Sequence, residues 1–389
     1  MQLRSKLPKS ETTIFAVMSA LANKYNAINL GQGFPDFDCD EDLRKLVAKH
    51  LNHQKNQYCP MPGLLDLRKA IGQKMNKSYG TSINGETQVC VTAGATQALF
   101  TAIEAFVHQG DEVIIIEPAY DSYTPSIIIA GGIPKAYTLT YPDYSIDWNK
   151  FEKLVTSKTR MIIINTPHNP TGTILKQADL QALENIVSGK NIIVLSDEVY
   201  EHLIYDNEQH QSVLRFPTLF EQSLAVYSFG KTFHATGWKM GYCVGPEYLI
   251  TEFKNVHQWN VFSVNSFVQY ALAEHLQDEK NYNYLPDFFQ KKRNFLTEQL
   301  AETTLIPKVS EGTYFQLYNY ENISDMNDIA FAKYLTREIG VAAIPLSPFY
   351  TKPPGDKVVR LCFAKTERTL AAAAERLQEL KKSNVSVKI

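Results

Sequence analysis

Two short apolar segments of this 389-residue chain are each followed closely by side chains that could do chemistry. The segment NIIVLS is followed by Asp197 and then by Tyr200. The segment LAVYS ends at Ser228, and Lys231 and Lys239 come soon after it. A lysine amine can attack a carbonyl carbon or act as a base, and a carboxylate can hold a proton on a ring nitrogen. If both segments are strands, these groups meet at one edge of a sheet.

This combination matches the needs of one cofactor, pyridoxal phosphate. That cofactor needs a lysine for its Schiff base and a carboxylate that keeps its pyridine nitrogen protonated, so that the ring accepts electrons. Lys231 and Asp197 are the residues predicted to supply these groups.

Other interpretations of the same residues compete with this one. Gly230-Lys231-Thr232 matches the end of a P-loop signature. Ala225 stands where that signature requires its first glycine, and this mismatch disfavours a nucleoside triphosphatase. A lone lysine is usually a surface charge, although this one lies among Gly, Phe, Trp and Ser. Asp197 could instead cap a helix.

The elements around these residues predict an α/β fold. Apolar, strand-like segments alternate with helix-like ones, which is typical of a mostly parallel sheet covered by helices on both faces. Ligands bind at the carboxyl ends of the strands in such sheets. The predicted strands are 86–92, 112–116, 160–165, 191–196, 224–228 and 240–244, and the predicted helices between them include 94–108 and 177–187.

The sequence changes character near Asp278. A long helix over 285–300, a strand region EGTYFQLYNY, a helix to about Ile339 and an Ala-rich final helix predict a smaller α+β domain. The first 40 residues, with one helix over 15–24, could join it. We therefore predict a large domain at 41–285 and a small domain made of 1–40 together with 286–389.

Charge and composition disfavour several classes of protein. Lys and Arg total 39 against 41 Asp and Glu, so nothing favours binding to nucleic acid or to an anionic membrane. We expect no transmembrane span and no secretory signal. The five cysteines form no CxxC motif, so we expect free thiols in the cytoplasm and no metal site.

Several separated motifs resemble those of the class I aminotransferases, which are fold type I enzymes dependent on pyridoxal phosphate. Within this family the chain is most similar to the kynurenine, glutamine and methionine aminotransferase branch, and there to the bacterial methionine aminotransferases. The similarity runs from about Thr12 to Leu380. The motifs are GQGFPDF, NQY, VTAGATQAL, NTPHNPTG, SDEVYEHL, SFGKTFHATGWKMGY and VRLCFAK.

The resemblance implies roles around the cofactor ring. Lys231 would hold the cofactor and, once released from it, act as the general base, which requires a neutral amine. Asp197 would pair with the pyridine nitrogen, and Tyr200 and Asn169 would hydrogen-bond the phenolic oxygen. Tyr120 would stack on the ring, although a packed core aromatic is the alternative.

The resemblance also implies the phosphate site and a shared active site. Small residues between a strand and a helix let backbone N–H groups approach an anion. The predicted phosphate ligands are Gly94, Ala95, Thr96, Ser228 and Lys239. Tyr58 matches a family tyrosine that reaches the phosphate from the neighbouring subunit, which predicts a homodimer.

For the substrate carboxylate, the resemblance points to Arg360, since arginine binds a carboxylate through two parallel hydrogen bonds. Strand alternation could also turn Arg360 outward as a surface charge. Gly33 and Asn169 would assist it, as would Asn165, which could equally be a turn former.

For the substrate side chain, the resemblance points to Phe15 and Phe262. The kynurenine enzymes carry Trp where this chain has Phe15, so the chain departs from them there. We see no second arginine of the kind that binds a distal carboxylate. Phe at both positions favours apolar, sulfur-containing or aromatic amino acids such as methionine, phenylalanine and tyrosine, with kynurenine or glutamine as further candidates. Apolar pockets discriminate only modestly between side chains, so we expect broad specificity. Core packing is the competing interpretation of each Phe.

Two other functions compete with aminotransfer to a 2-oxo acid by a ping-pong mechanism. A carbon–sulfur β-lyase would use the same scaffold. A transcription regulator that senses pyridoxal phosphate would need a DNA-binding module of about 60 residues before the GQGFPDF motif, which begins at Gly31, so we disfavour it.

Overall fold

The computed structural model describes residues 4–7 and 12–381. Its strands are β1 (Ile28–Asn29), β2 (Val89–Thr92), β3 (Glu112–Glu117), β4 (Ile133–Thr138), β5 (Thr159–Asn165), β6 (Ile193–Asp197), β7 (Ser223–Ser228), β8 (Gly241–Val244), β9 (Ile306–Lys308), β10 (Phe315–Asn319), β11 (Val341–Ala342), β12 (Ile344–Pro345) and β13 (Val358–Cys362). Its α-helices are α1 (Ile14–Lys24), α2 (Glu41–Asn52), α3 (Leu65–Tyr79), α4 (Ala95–Phe106), α5 (Tyr123–Ile129), α6 (Trp148–Glu152), α7 (Gln177–Val187), α8 (Pro217–Phe220), α9 (Phe229–Thr232), α10 (Glu247–Asn260), α11 (Ser266–His275), α12 (Lys280–Asn283), α13 (Leu285–Gln299), α14 (Asp328–Tyr334) and α15 (Glu367–Leu377).

A seven-stranded sheet forms the centre, in the order β2-β8-β7-β6-β5-β3-β4. The pairs β7·β6, β6·β5, β5·β3 and β3·β4 are parallel, and only β8 runs against its neighbours. The predicted α/β class and mostly parallel sheet are confirmed. Strand β4 was not predicted from the sequence.

The two faces of this sheet are buried in different cores, as the uninterrupted apolar character of its strands requires. In β3, Ile114 and Ile116 join one hydrophobic cluster, whereas Val113 and Ile115 join the other. Helix α4 packs on the second face. Coverage on both faces leaves the strand ends as the place for a ligand.

A second, antiparallel sheet has the order β12-β13-β10-β9 and lies in the C-terminal part of the chain. The short strand β1 pairs in parallel with β11, which joins the N-terminal segment to this part. The pairing supports the domain division predicted above, at 41–285 and 1–40 with 286–389, which stays a prediction. Residues 1–3, 8–11 and 382–389 of the predicted small domain lie outside the described residues.

Within the described ranges, none of the helices is both long and apolar enough to cross a membrane.

Candidate active site

A cavity of about 260 Å³ opens at the carboxyl ends of β5, β6 and β7. The strand register aligns Asn165 at the end of β5 with Asp197 at the end of β6. Fourteen of the sixteen residues predicted from the sequence line this cavity, contributed by segments that are far apart in the chain. They are Phe15, Gly33, Gly94, Ala95, Thr96, Tyr120, Asn165, Asn169, Asp197, Tyr200, Ser228, Lys231, Lys239 and Arg360.

Lys231 lies on the short helix α9, directly after β7. Ser228 caps this helix, because its hydroxyl accepts a hydrogen bond from the Lys231 backbone N–H at 3.3 Å. The Lys231 amine donates to the hydroxyl of Tyr314 at 2.8 Å and to the carbonyl of Gly33 at 3.3 Å. Burial lowers the pKa of this amine to about 8, and the positive charge of Arg360 acts in the same direction. The lowered pKa enlarges the neutral fraction of the amine near neutral pH, and the neutral form is the one that acts as a general base.

Asp197 ends β6 and is almost fully buried. Tyr123 donates a hydrogen bond from its hydroxyl to Asp197 Oδ2 at 2.6 Å. Burial raises the pKa of the Asp197 carboxyl to about 6, so a cation beside it would stabilise its charged form. In the described chain the residues after Asp197 form turns, and the next helix starts only at Val213, so the helix-cap interpretation is wrong.

An anion cradle forms where β2 leads into α4. Gly94 has a positive φ of +81°, and no side chain caps the helix that begins at Ala95. Its first backbone N–H groups therefore remain available to an anion. A methyl group added to Gly94 would lie 3.5 Å from Lys239 Nζ, which shows how closely that ammonium approaches the turn.

Tyr120 stands beside this cradle. Its hydroxyl lies 3.4 Å from Thr96 Oγ1, and its ring meets that of Tyr123 edge-on at 5.7 Å. Because the ring lines the cavity and its edge is supported by Tyr123, it is placed to stack on a planar ligand.

Arg360 is fully buried on β13, so the surface-charge interpretation is wrong. Its guanidinium donates to two neutral acceptors, Asn169 Oδ1 at 2.7 Å and the Gly31 carbonyl at 3.0 Å. Arg360 Nε has no hydrogen-bond partner among the residues of the described chain. A buried cation without an anionic partner is costly, so a carboxylate ligand would stabilise it. Burial lowers the pKa of Arg360 to about 10.

Aromatic rings surround this guanidinium. Its central carbon lies 3.7 Å from the ring centroid of Phe315 and 5.3 Å from that of Phe15. Phe15 also packs on Phe349, at 5.5 Å between centroids. A ligand carboxylate on Arg360 would therefore have its side chain near apolar surface.

Two asparagines connect the strand ends to Arg360. Asn165 donates to the Asp197 carbonyl and accepts from the Asn169 backbone N–H, both at 2.8 Å. These contacts support the turn-forming role for Asn165. Since Asn169 Oδ1 accepts from Arg360, its amide N–H groups are left to donate into the cavity.

Tyr58 and Phe262 are the two predicted residues that do not line the cavity of their own chain. Tyr58 is 82% exposed and Phe262 is 54% exposed. Their rings contact each other edge-on, with centroids 5.3 Å apart. The roles predicted for both residues stay predictions, and for both they would require a second copy of the chain.

The sequence analysis missed several residues at the site. Tyr123 and Tyr314 hold Asp197 and Lys231, and Gln32, Phe34 and Phe315 line the cavity. Tyr314 and Phe315 belong to the predicted strand region EGTYFQLYNY, but nothing in that pattern indicated contact with Lys231.

Comparison with known proteins places this geometry in context. Residues 25–377 match the family model described as "Aminotransferase class I and II". The methionine aminotransferase of Escherichia coli K12 is 50% identical over 97% of this chain and 98% of its own length. The kynurenine–oxoglutarate transaminase of Dictyostelium discoideum is 36% identical over 95% of this chain and 94% of its own.

A solved structure is also closely similar. It is that of YbdL from Escherichia coli, described as having a methionine aminotransferase function. The TM-score is 0.96 at 49% identity, covering 97% of this chain and all of that one.

Proposed function

Because this chain belongs to the class I and II aminotransferases, we propose that it binds pyridoxal phosphate and transfers the amino group of methionine or an aromatic amino acid to a 2-oxo acid. That the chain is an aminotransferase of the fold type I class follows from its family and relatives. The observation that carries the finer proposal is one cavity lined by Lys231, by the buried carboxyl of Asp197 and by Arg360, whose guanidinium has no anionic partner among the described residues.

The residues present fit the proposed cofactor. The N-terminus of α4, Ser228 and Lys239 form a donor set suited to a phosphate group. Asp197 is placed for a protonated ring nitrogen, and a cation there would return its raised pKa toward the usual range. When bound, pyridoxal phosphate supplies an electron sink for the charge that develops at the substrate Cα.

The protein's own groups then handle the substrate. Arg360 binds the α-carboxylate, with an Asn169 amide N–H directed at the same region. This anchoring sets the Cα–H bond toward Lys231, whose neutral amine takes the proton. Tyr200, whose pKa is raised by burial, stays protonated and can donate a hydrogen bond to an oxygen on the ring.

The preference for methionine and aromatic donors rests on the apolar surface around Arg360 and on the relatives. Phe15 and Phe315 flank the guanidinium, and Phe34 lines the same cavity. Arg360 is the one arginine among the residues that line the cavity in the described chain, so a distal carboxylate finds no guanidinium there.

Replacing Arg360 with alanine should lower kcat/KM for every amino acid by a similar factor. One charged hydrogen-bonding contact contributes about 1.5–3 kcal/mol, so the loss should be roughly 10- to 150-fold. Steady-state kinetics with methionine, phenylalanine and alanine test this. Arg360→Lys, which keeps the charge but not the bidentate geometry, is the comparison variant. A loss confined to one substrate would show that Arg360 contacts a side chain instead.

Changing Phe15 should reorder substrates and leave the reaction intact. Loss of apolar contacts to a substrate side chain is worth about 1–3 kcal/mol, or roughly 10- to 200-fold in ratios of kcat/KM. Phe15→Leu and Phe15→Trp should therefore change the methionine-to-phenylalanine ratio, while alanine is barely affected. Equal effects on all three amino acids would place Phe15 in general packing.

We propose that the active species is a homodimer in which Tyr58 reaches the phosphate of the partner. The 82% exposure of Tyr58 and its contact with Phe262 support this placement. Tyr58→Ala should weaken cofactor binding. Mixing Tyr58→Ala with Lys231→Ala chains under conditions that exchange subunits should restore activity, since one site per mixed dimer then has both residues intact. No recovery in dimers shown to have mixed would contradict the proposal.

A panel of amino acids against several 2-oxo acids tests the proposed reaction. Consumption of the 2-oxo acid together with formation of a new keto acid indicates transamination, and methionine and aromatic donors should exceed aspartate. Release of pyruvate, ammonia and thiol from cysteine conjugates, without use of an acceptor, would favour the β-lyase alternative.

We also propose a cytoplasmic location. It is supported by the five cysteines, which are all free and buried, as expected in a reducing compartment.

A further inference from the structure

The hydroxyl of Tyr314 lies between the Lys231 amine and the N-terminal loop that carries Gly33. Tyr314 directly precedes β10 and is fully buried. Its O–H donates to the Gly33 carbonyl at 2.5 Å, and Lys231 Nζ donates to its oxygen at 2.8 Å. The Gly33 carbonyl is also 3.3 Å from Lys231 Nζ, so the three groups form a closed triangle.

The direction of these hydrogen bonds follows from their chemistry. The Gly33 carbonyl can only accept, so it takes the single hydrogen of the Tyr314 hydroxyl. The hydroxyl oxygen is then an acceptor for the lysine amine. Both bonds therefore fix the amine relative to the loop.

The aromatic ring of Tyr314 is itself held in place. It contacts Tyr200 at 5.2 Å, Phe315 at 4.8 Å and Phe289 at 5.9 Å between centroids. Ring contacts on several sides leave the hydroxyl little freedom to move. The hydroxyl therefore offers the flexible lysine side chain a hydrogen-bond acceptor at a fixed position.

We propose that Tyr314 is a positioning residue for Lys231, holding the amine beside the cavity whenever it is not attached to the cofactor and linking its placement to the Gly33 loop. This proposal rests on the proposed function. The contact is made by a hydroxyl that the sequence motifs did not single out.

The consequences for the chemistry are specific. Without the hydroxyl, the one hydrogen bond left to the amine among the described residues is the longer one to the Gly33 carbonyl. The amine then samples more orientations, so proton transfer from the substrate Cα slows. Substrate binding through Arg360 is unaffected. A hydroxyl oxygen also accepts more strongly from an ammonium than from a neutral amine, so removing it should lower the pKa of Lys231.

The test compares Tyr314→Phe with Tyr318→Phe. Tyr318 is a buried tyrosine within β10, the strand that begins just after Tyr314, and its hydroxyl accepts from Gln316 Nε2 at 2.7 Å. Its variant therefore also loses one buried hydroxyl and keeps the ring. The first measurement uses protein freed of cofactor. Trace labelling with acetic anhydride across a pH series, followed by mass spectrometry of the Lys231 peptide, reports when the amine becomes neutral. The midpoint should lie near pH 8 in the wild type and in Tyr318→Phe, and lower in Tyr314→Phe.

The second measurement uses the protein loaded with pyridoxal phosphate. In Tyr314→Phe, kcat with methionine should fall about 2- to 12-fold, the equivalent of one hydrogen bond, while KM stays unchanged. Methionine deuterated at Cα should slow this variant more than the wild type, because proton transfer then limits the rate more strongly.

Failure of the role proposed for Tyr314 and failure of the proposed function can be told apart. Equal labelling midpoints in all three proteins, equal changes in both variants, or a Tyr314→Phe protein that does not fold would each overturn the role of Tyr314. A wild type that binds no pyridoxal phosphate would instead overturn the proposed function, and the labelling comparison would still test the contact.

Discussion

Replacing Lys231 with alanine should reduce kcat for transamination by about 10²- to 10⁴-fold through the loss of proton transfer alone. In the structure Lys231 lines the cavity together with Asp197, and burial brings the pKa of its amine down to about 8. The loss should be the same for every amino donor, because the proton leaves the same Cα position in each. Stopped-flow measurement of a single half-reaction with methionine would quantify it.

Two controls make the Lys231 result specific. Lys176→Ala removes a lysine that is paired with Glu208 and Glu311 outside the cavity, and it should leave kcat unchanged. Small primary amines added to Lys231→Ala should restore part of the rate, increasing with their base strength. An alanine variant that retains more than about a tenth of the wild-type kcat would remove Lys231 from the role of base.

Replacing Asp197 with alanine should lower kcat by about 10²-fold or more while part of the cofactor stays bound. The Asp197 carboxyl is buried and accepts a hydrogen bond from the neutral hydroxyl of Tyr123. Among the described residues, no cationic side chain is hydrogen-bonded to this carboxyl. A protonated ring nitrogen would provide that cation, and an unprotonated ring is a poor electron sink. Absorbance spectra measure occupancy and the methionine half-reaction measures the rate.

The control variant for Asp197→Ala is Asp179→Ala. Asp179 accepts hydrogen bonds from Trp148 and from the Lys176 backbone, so it is a structural carboxylate outside the cavity. Its loss removes these two hydrogen bonds but should leave kcat per bound cofactor unchanged. Near wild-type turnover in Asp197→Ala would mean that this carboxyl does not contact the ring.

The site at the strand ends was predictable because it follows from local patterns. The apolar runs that lead to Asn165, Asp197 and Ser228 are almost fully buried parallel strands, and the register brings their ends to one edge of the sheet. The helix over 177–187 was predicted to the residue, since its apolar period and polar flanks are both clear. Here local sequence and tertiary structure agree.

What was missed depends on contacts that no local pattern encodes. Strand β4 (IPKAYT) is a half-exposed edge strand with a mixed polar sequence, so it lacks the apolar run that revealed its neighbours. Tyr314 meets Lys231 across 83 positions of sequence, and the identity of a single tyrosine gives no hint of that contact. Tyr58 and Phe262 are exposed and do not line the cavity of their own chain. A role for either of them at the site would therefore require a second chain.

The account rests on Lys231 carrying pyridoxal phosphate, and reduction with sodium borohydride tests this most directly. After incubation with the cofactor the protein should be yellow, and reduction should bleach it and fix one pyridoxyl phosphate group per chain. Mass spectrometry of the digest should place that group on the peptide containing Lys231. A colourless protein after incubation, or a label distributed over other lysines with Lys231 unmodified, would contradict the account.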